Sequence, residues 1–205
     1  MRSRFMKTFL LAIAILQIVA MSATAAPSCC TTNVPTTAPL TDASVYQLES
    51  EWTSDKGEIV RLNQLRGKVQ VVTMFFASCA YVCPVLVNNA QEIEAKLRAA
   101  GVEEVEFVLV TFDTENDTVE KLHSYRQQRH LGSNWRVLRG VSEDVAELAA
   151  LLGVKFKKEP SGQYAHSNVI TILDKEGEIV HQQIGLNVDP AGSLAAINKA
   201  LNTSK

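Results

Sequence analysis

Thr73-Met-Phe-Phe-Ala-Ser-Cys-Ala-Tyr-Val-Cys-Pro84 joins an apolar run to two cysteines one helical turn apart, with a proline directly behind them. The run from Val69 to Phe76 is β-branched and aromatic, too short for most helices, and bounded by Gly67-Lys68 and Ser78, so it predicts a buried strand. Pro84 suits the first position of a helix, where its missing N–H would be unpaired anyway. That puts Cys83 at the N-cap and Cys79 in the loop before it. Free backbone N–H groups and the helix dipole favour anionic sulfur there, so both thiols are expected to lean towards thiolate, the form that attacks disulfides and binds metals.

Upstream, Val45-Tyr-Gln-Leu48 and Ile59-Val-Arg-Leu62 flank the turn-like Ser54-Asp-Lys-Gly57, which predicts a small hairpin beside the core. Downstream, Val85, Leu86, Ala90, Ile93 and Leu97 keep helical spacing up to Gly101. Val105 to Thr111 reads as a second buried strand, followed by the polar loop Phe112-Asp-Thr-Glu-Asn-Asp117. Asp117 with Glu120 resembles a capping box for a helix reaching about Arg129. A short strand at Trp135–Leu138 and a helix from Ser142 to Leu152 come next. Val154 to Asn168 has no clean period and predicts an exposed loop or irregular hairpin ending in Tyr164-Ala-His-Ser-Asn168. Val169–Leu173 and Glu178–Ile184 form a hairpin signal across Asp174-Lys-Glu-Gly177, and Asp189-Pro190 opens a last helix to about Leu201. The order βα, βα, βα, ββ, α gives an α/β fold of thioredoxin-like type, a central mixed sheet flanked by helices with an N-terminal hairpin.

The 205 residues suit one domain and a tail, and a formal net charge of -2 without a Lys/Arg block excludes a nucleic-acid surface. Arg2, Arg4 and Lys7 precede an apolar stretch from Phe9 to Met21 and then Ala23-Thr-Ala25, the layout of a secretory signal. The expected organisation is a signal peptide or signal-anchor over 1–25, a Pro/Thr/Ala-rich tether over 26–42 and a domain over 43–205. The chain is therefore expected to be exported and periplasmic. Its contact with the membrane, at the outer face of the inner membrane, would come only from an uncleaved signal or from lipidation, for which Ala26-Pro27-Ser28 before Cys29 is a poor approach. In an exported chain four cysteines ordinarily read as staples. Cys29-Cys30 are adjacent, however, and Cys79 with Cys83 close only a tiny loop that would add little stability. Reactivity explains the second pair better.

Three residues separate Cys79 from Cys83, where thioredoxin-type redox sites have two, and Ser167-Asn168 stands where such folds carry a cis-proline before the facing strand. Two thiolates and one imidazole suit Cu(I), a soft ion content with three ligands, and His166 enters the strand that should face the cysteine loop. His123, His130 and His181 are scattered and read as surface or helix-end residues. Zinc would ask for a fourth ligand, and none is evident. Asp113 is expected near the site as a group that orients a ligand, Asp117 as a helix cap, and Tyr81, Phe75 and Phe76 as packing.

Gly67-Lys-Val, Cys79-x3-Cys83-Pro84, Asp113-x3-Asp117-Thr118, His166-Ser167 before a strand, and Asp174-x2-Gly177 together resemble the Sco (SenC/PrrC) family of copper-binding, thioredoxin-like proteins that help assemble cytochrome c oxidase. The resemblance runs from about Val45 to the C-terminus. It implies copper held by Cys79, Cys83 and His166, and a metallochaperone that delivers copper to the dinuclear site on oxidase subunit II, or to another copper or thiol client. It leaves two alternatives, a periplasmic thiol-disulfide oxidoreductase using Cys79 and Cys83 as a redox pair, and a redox or copper sensor. Two departures stand out: Ala165 where the family often has Asp before the histidine, and Ala80-Tyr81-Val82 in place of a Pro-Asp-type spacer.

Overall fold

The computed structural model describes residues 39–203. The expected signal over 1–25, most of the tether and Cys29-Cys30 lie outside them. Nine strands and four helices occur among the described residues. Seven strands form one mixed sheet, β1 (Glu51–Ser54), β2 (Ile59–Arg61), β3 (Val69–Phe75), β4 (Val105–Thr111), β5 (Trp135–Arg139), β8 (Val169–Leu173) and β9 (Ile179–Ile184), in the order β2-β1-β5-β4-β3-β8-β9. Two short strands, β6 (Phe156–Lys158) and β7 (Tyr164–His166), pair by themselves. The helices are α1 (Val82–Ala99), α2 (Val119–Gln128), α3 (Ser142–Leu151) and α4 (Ala191–Asn202).

Every residue of β3 is buried, because β3 lies mid-sheet between parallel β4 and antiparallel β8. Leu148 and Leu152 of the α3 region cover Val72, Val108 and Val110, while α1 packs with α4 against β3 and β8. The pairing decides where the site falls. Phe75 is in register with Thr111, so the loops leaving β3 and β4 emerge side by side, and Thr73 pairs with Ile170, so the chain entering β8 arrives at the same edge. Sites in open α/β sheets collect at the carboxyl ends of parallel strands for this reason.

The N-terminal hairpin differs from its expected form. Its first arm is Glu51–Ser54 rather than Val45–Leu48, and it extends the main sheet by pairing Ser54 with Leu138. Val45–Gln47 is a 3-10 turn instead, since Ser44 Oγ accepts from Tyr46 N at 3.2 Å and Val45 N donates to the Gly177 carbonyl. Tyr46 then lies against Gly177, whose φ is +82° and whose hydrogen leaves room for the ring that a Cβ would meet at 2.6 Å. A buried ion pair ties the hairpin down: Asp55 accepts from Arg126 Nε at 2.5 Å and from a second guanidinium nitrogen at 2.9 Å.

Glu106 on β4 bridges its two neighbouring strand regions, with Lys68 Nζ at 2.5 Å and Arg136 Nε at 3.1 Å. Burial pushes its carboxyl up, but hydrogen bonds from Lys68 and Arg136 outweigh that and hold it below the ordinary value. A depressed carboxylate stabilises the fold above the unfolded pKa of about 4.3 and loses that contribution as pH falls through the lower folded value. Glu106→Gln is therefore expected to melt below wild type at pH 7, with the gap closing below about pH 4, as read by thermal melts across pH.

Candidate metal centre

Phe76 ends the β3 run fully buried, and the chain turns at once, Cys79 N donating to the Phe76 carbonyl at 3.2 Å. Helix α1 begins at Val82 with Tyr81 at the N-cap, two residues before the expected start. Cys83 thus lies in the first turn and not at the cap. Pro84 is tolerated one position further in, because first-turn N–H groups have no intrahelical partner. Tyr81 offers no side-chain cap. Cys79 takes over that role, its Sγ accepting from Cys83 N at 3.3 Å.

The two thiols differ in surroundings. Cys79 is half-buried and Cys83 fully buried, and both are free. Burial pushes the Cys83 thiol far above its ordinary range, with the nearby Cys79 and Asp117 adding to the effect. The expectation that both sulfurs lean towards thiolate is corrected for Cys83. Its apolar seat against the core outweighs the helix N-terminus, so a cation must displace its proton.

His166 arrives from the other side, at the end of β7, paired across the small sheet with Phe156. Its Nε2 lies 3.4 Å from Cys83 Sγ and its Nδ1 lies 3.0 Å from the Ser167 carbonyl. A carbonyl only accepts, so Nδ1 carries the proton and Nε2 turns its lone pair to the sulfurs. Phe112 at 5.2 Å and the edge of Phe76 at 6.2 Å flank the ring. One ligand atom from each of Cys79, Cys83 and His166 falls within 4.8 Å of the other two. Two soft sulfurs and one imidazole, backed by aromatic rings, make a three-donor site for a soft ion.

Asp113 is buried, but it accepts from Tyr164 Oη at 3.2 Å and from Asn116 and does not reach the His166 ring nitrogens, which face Ser167 and Cys83. It acts one step away, fixing Tyr164 two residues before His166 on the same strand. Burial and the Asp113 carboxylate raise the Tyr164 phenol, which keeps it a donor. Asp117 departs further from expectation. Thr118, not Asp117, caps α2, accepting from Lys121 N at 3.3 Å. Asp117 points inward with its side chain fully buried, accepting from Ala77 N at 2.8 Å and from Thr111 Oγ1 at 2.5 Å and forming an ion pair with Lys121 Nζ at 2.8 Å. It thereby ties the cysteine loop to the end of β4. Tyr81 is 83% exposed rather than part of the packing, whereas Phe75 and Phe76 are core residues as expected. His123, His130 and His181 stay outside the cluster: His123 faces Asp55, His130 follows α2 with φ 53°, and His181 lies beside Gly192. Phe112, Phe156 and Tyr164 form the aromatic wall, which no periodicity in the sequence marked.

The SCO1/SenC family model matches residues 40–202. The chain is 26% identical over 165 residues to the SCO1 protein homolog of Bacillus subtilis (strain 168), covering 78% of this chain and 85% of that protein. Arabidopsis thaliana ScoI with copper bound superposes with a TM-score of 0.64 at 25% identity, over 74% of this chain and 95% of that one. A SCO1/SenC family lipoprotein from Bacillus anthracis str. Ames shares the fold with a TM-score of 0.69 at 23% identity, over 74% of this chain and 92% of that one. The thioredoxin-like sheet with its added hairpins, the Cys79, Cys83 and His166 cluster and a family match spanning the described domain agree, and the chain belongs to the SCO1/SenC family.

Proposed function

We propose that this domain binds copper through Cys79 Sγ, Cys83 Sγ and His166 Nε2 and passes it to the dinuclear copper site on subunit II of cytochrome c oxidase. The observation that carries the reading is the three donor atoms within 4.8 Å of one another, drawn from two separate parts of the chain. The donor set fits copper as cargo: sulfur and imidazole suit Cu(I), and three ligands satisfy it without a fourth. The aromatic wall limits water, and the Nδ1 hydrogen bond to Ser167 presets the ring for binding. A relative supports the assignment, since Arabidopsis thaliana ScoI has been solved with copper bound.

Around this core the chain works from outside the cytoplasm. Residues 1–25 act as the export signal and 26–42 as the tether from which the domain reaches its client. No helix among the described residues is long and apolar enough to cross a membrane, so attachment falls to the segment before residue 39.

The test is anaerobic Cu(I) titration of the reduced domain followed by incubation with an apo dinuclear-copper acceptor. One equivalent bound and then lost to the acceptor is the expected result; no tight binding, or binding without transfer, rejects the proposal. A thiol-disulfide reductase draws on one observation, the Cys83 N–H donated to Cys79 Sγ, which favours attack by Cys79. Reduction of a model disulfide that survives His166→Ala would favour that reading.

Ala165, where the family often has Asp, is exposed and pairs with Lys157 across the hairpin, on the face away from the ligand ring. Ala165→Asp is accordingly expected to change Cu(I) affinity by less than about threefold in chelator competition, well below the roughly tenfold or larger effect of a residue that touches a ligand.

A further inference from the structure

The β6–β7 hairpin has two faces with different chemistry. Strand alternation puts Tyr164 and His166 inward, against Phe76 and Phe112, and Ala165 outward, opposite Lys157. Lys155 extends the outward row, its backbone exchanging hydrogen bonds with Ser167. The result is a shallow groove of about 320 Å3 lined by Lys155, Phe156, Lys157, Ala165, His166 and Ser167. Neither Lys155 nor Lys157 makes an ion pair among the described residues, whereas Lys158 is engaged by Glu115 at 2.6 Å. Two unneutralised cations beside the site, on a chain whose net charge is -2, form a local field opposite in sign to the whole molecule.

We propose that this outer face of the hairpin is the docking surface for an acidic segment of the protein that exchanges copper with the site. The proposal rests on the copper-transfer reading above and names the chemistry of the partner. Charge complementarity selects an anionic occupant, and the small side chains of Ala165 and Ser167 across the hairpin from the lysines leave space for a chain to lie in the groove. A protein segment fits better than a lipid surface, because anionic membranes are bound by clusters of roughly four to eight basic residues, and here two are free in a concave site. Position couples docking to cargo: His166 itself lines the groove, so the occupant lies against the residue that holds the ion. An acidic partner is thus brought within reach of the ion as it meets the face that holds one of the three ligands.

The experiment measures binding of a fluorescent polyglutamate peptide to the copper-loaded domain by anisotropy at low salt, with Cu(I) affinity determined on the same samples. The expected result is binding that weakens as salt rises, weakened about tenfold by Lys155→Glu/Lys157→Glu and unaltered by the distant pair Lys56→Glu/Lys199→Glu, with Cu(I) affinity equal in all three proteins. Equal loss in both double variants would assign the effect to net charge and overturn the proposal, as would absence of binding. Phosphatidylglycerol vesicles form a further arm: lysine-dependent vesicle binding without peptide binding would assign the face to the membrane instead and overturn it. Failure of Cu(I) binding in the unsubstituted domain is read separately, and would reject the copper reading itself.

Discussion

Cys83→Ser is expected to lower Cu(I) affinity by at least about a thousandfold, the largest functional effect of any single substitution in this domain. Cys83 Sγ lies 3.4 Å from His166 Nε2, and the Cys83 N–H donates to Cys79 Sγ, so this residue touches both of the other ligands. A serine hydroxyl there is hard, neutral and buried, and Cu(I) gains little from it. The fold should tolerate the change, since serine is smaller and hydrogen-bonding groups lie close, so a melt within a few degrees of wild type separates loss of the ligand from loss of structure. His166→Ala leaves both sulfurs and should bind more weakly than wild type but more tightly than Cys83→Ser. Chelator competition on the three proteins checks the order, and Cys83→Ser retaining wild-type affinity would remove this sulfur from the site.

Asp117→Ala carries the largest expected effect on stability. Its carboxylate is completely buried and gathers an amide, a hydroxyl and an ammonium, so truncation leaves Ala77 N–H and Thr111 Oγ1 without an acceptor and Lys121 without its counter-charge. Breaking a buried charged network from one side costs about 3–5 kcal/mol, or a melting temperature about 10 °C lower for a chain of this size. The same loss frees the loop from Ala77 to Cys79, so Cu(I) affinity should fall with stability. Asp117→Asn keeps the shape and one acceptor oxygen. It should recover more than half of the stability, and recovery absent in calorimetry would mean that charge and not hydrogen bonding holds the loop.

The parts of the fold that could be read from residue order are those in which neighbours along the chain decide the outcome. β3, β4 and β8 are short runs rich in β-branched and other apolar residues, nearly all buried, and their limits fall within a residue of expectation. Gly101, Gly153 and Gly177 end elements with positive φ as their positions imply. The sequence is a poorer guide where a distant segment or a competing neighbouring side chain decides. The Val45 arm is drawn out of a strand by the β8–β9 turn that receives it, and the cap of α1 by a sulfur four residues upstream of Cys83. Asp117 followed a capping pattern, but its neighbour Thr118 supplies the cap and releases Asp117 to the interior.

The site divides in the same way. Cys79, Cys83 and His166 were legible because cysteine spacing and a histidine at the mouth of a facing strand are local signals, and the fold brings them together. The protonation of Cys83 was not, since helix position argued for thiolate while the packing of β3 and α1 around it, invisible in a spacing pattern, argues the other way. Asp113 contacts Tyr164 rather than a ligand ring, an arrangement that depends on a hairpin that showed no clean period.

X-ray absorption at the copper edge of the Cu(I)-loaded domain tests the central claim most directly, because it reads the donor atoms themselves. Two sulfurs and one nitrogen on each copper, the nitrogen lost in His166→Ala, is the predicted result. A copper bound by sulfur alone in the unsubstituted domain, or a spectrum that His166→Ala leaves unchanged, would contradict it.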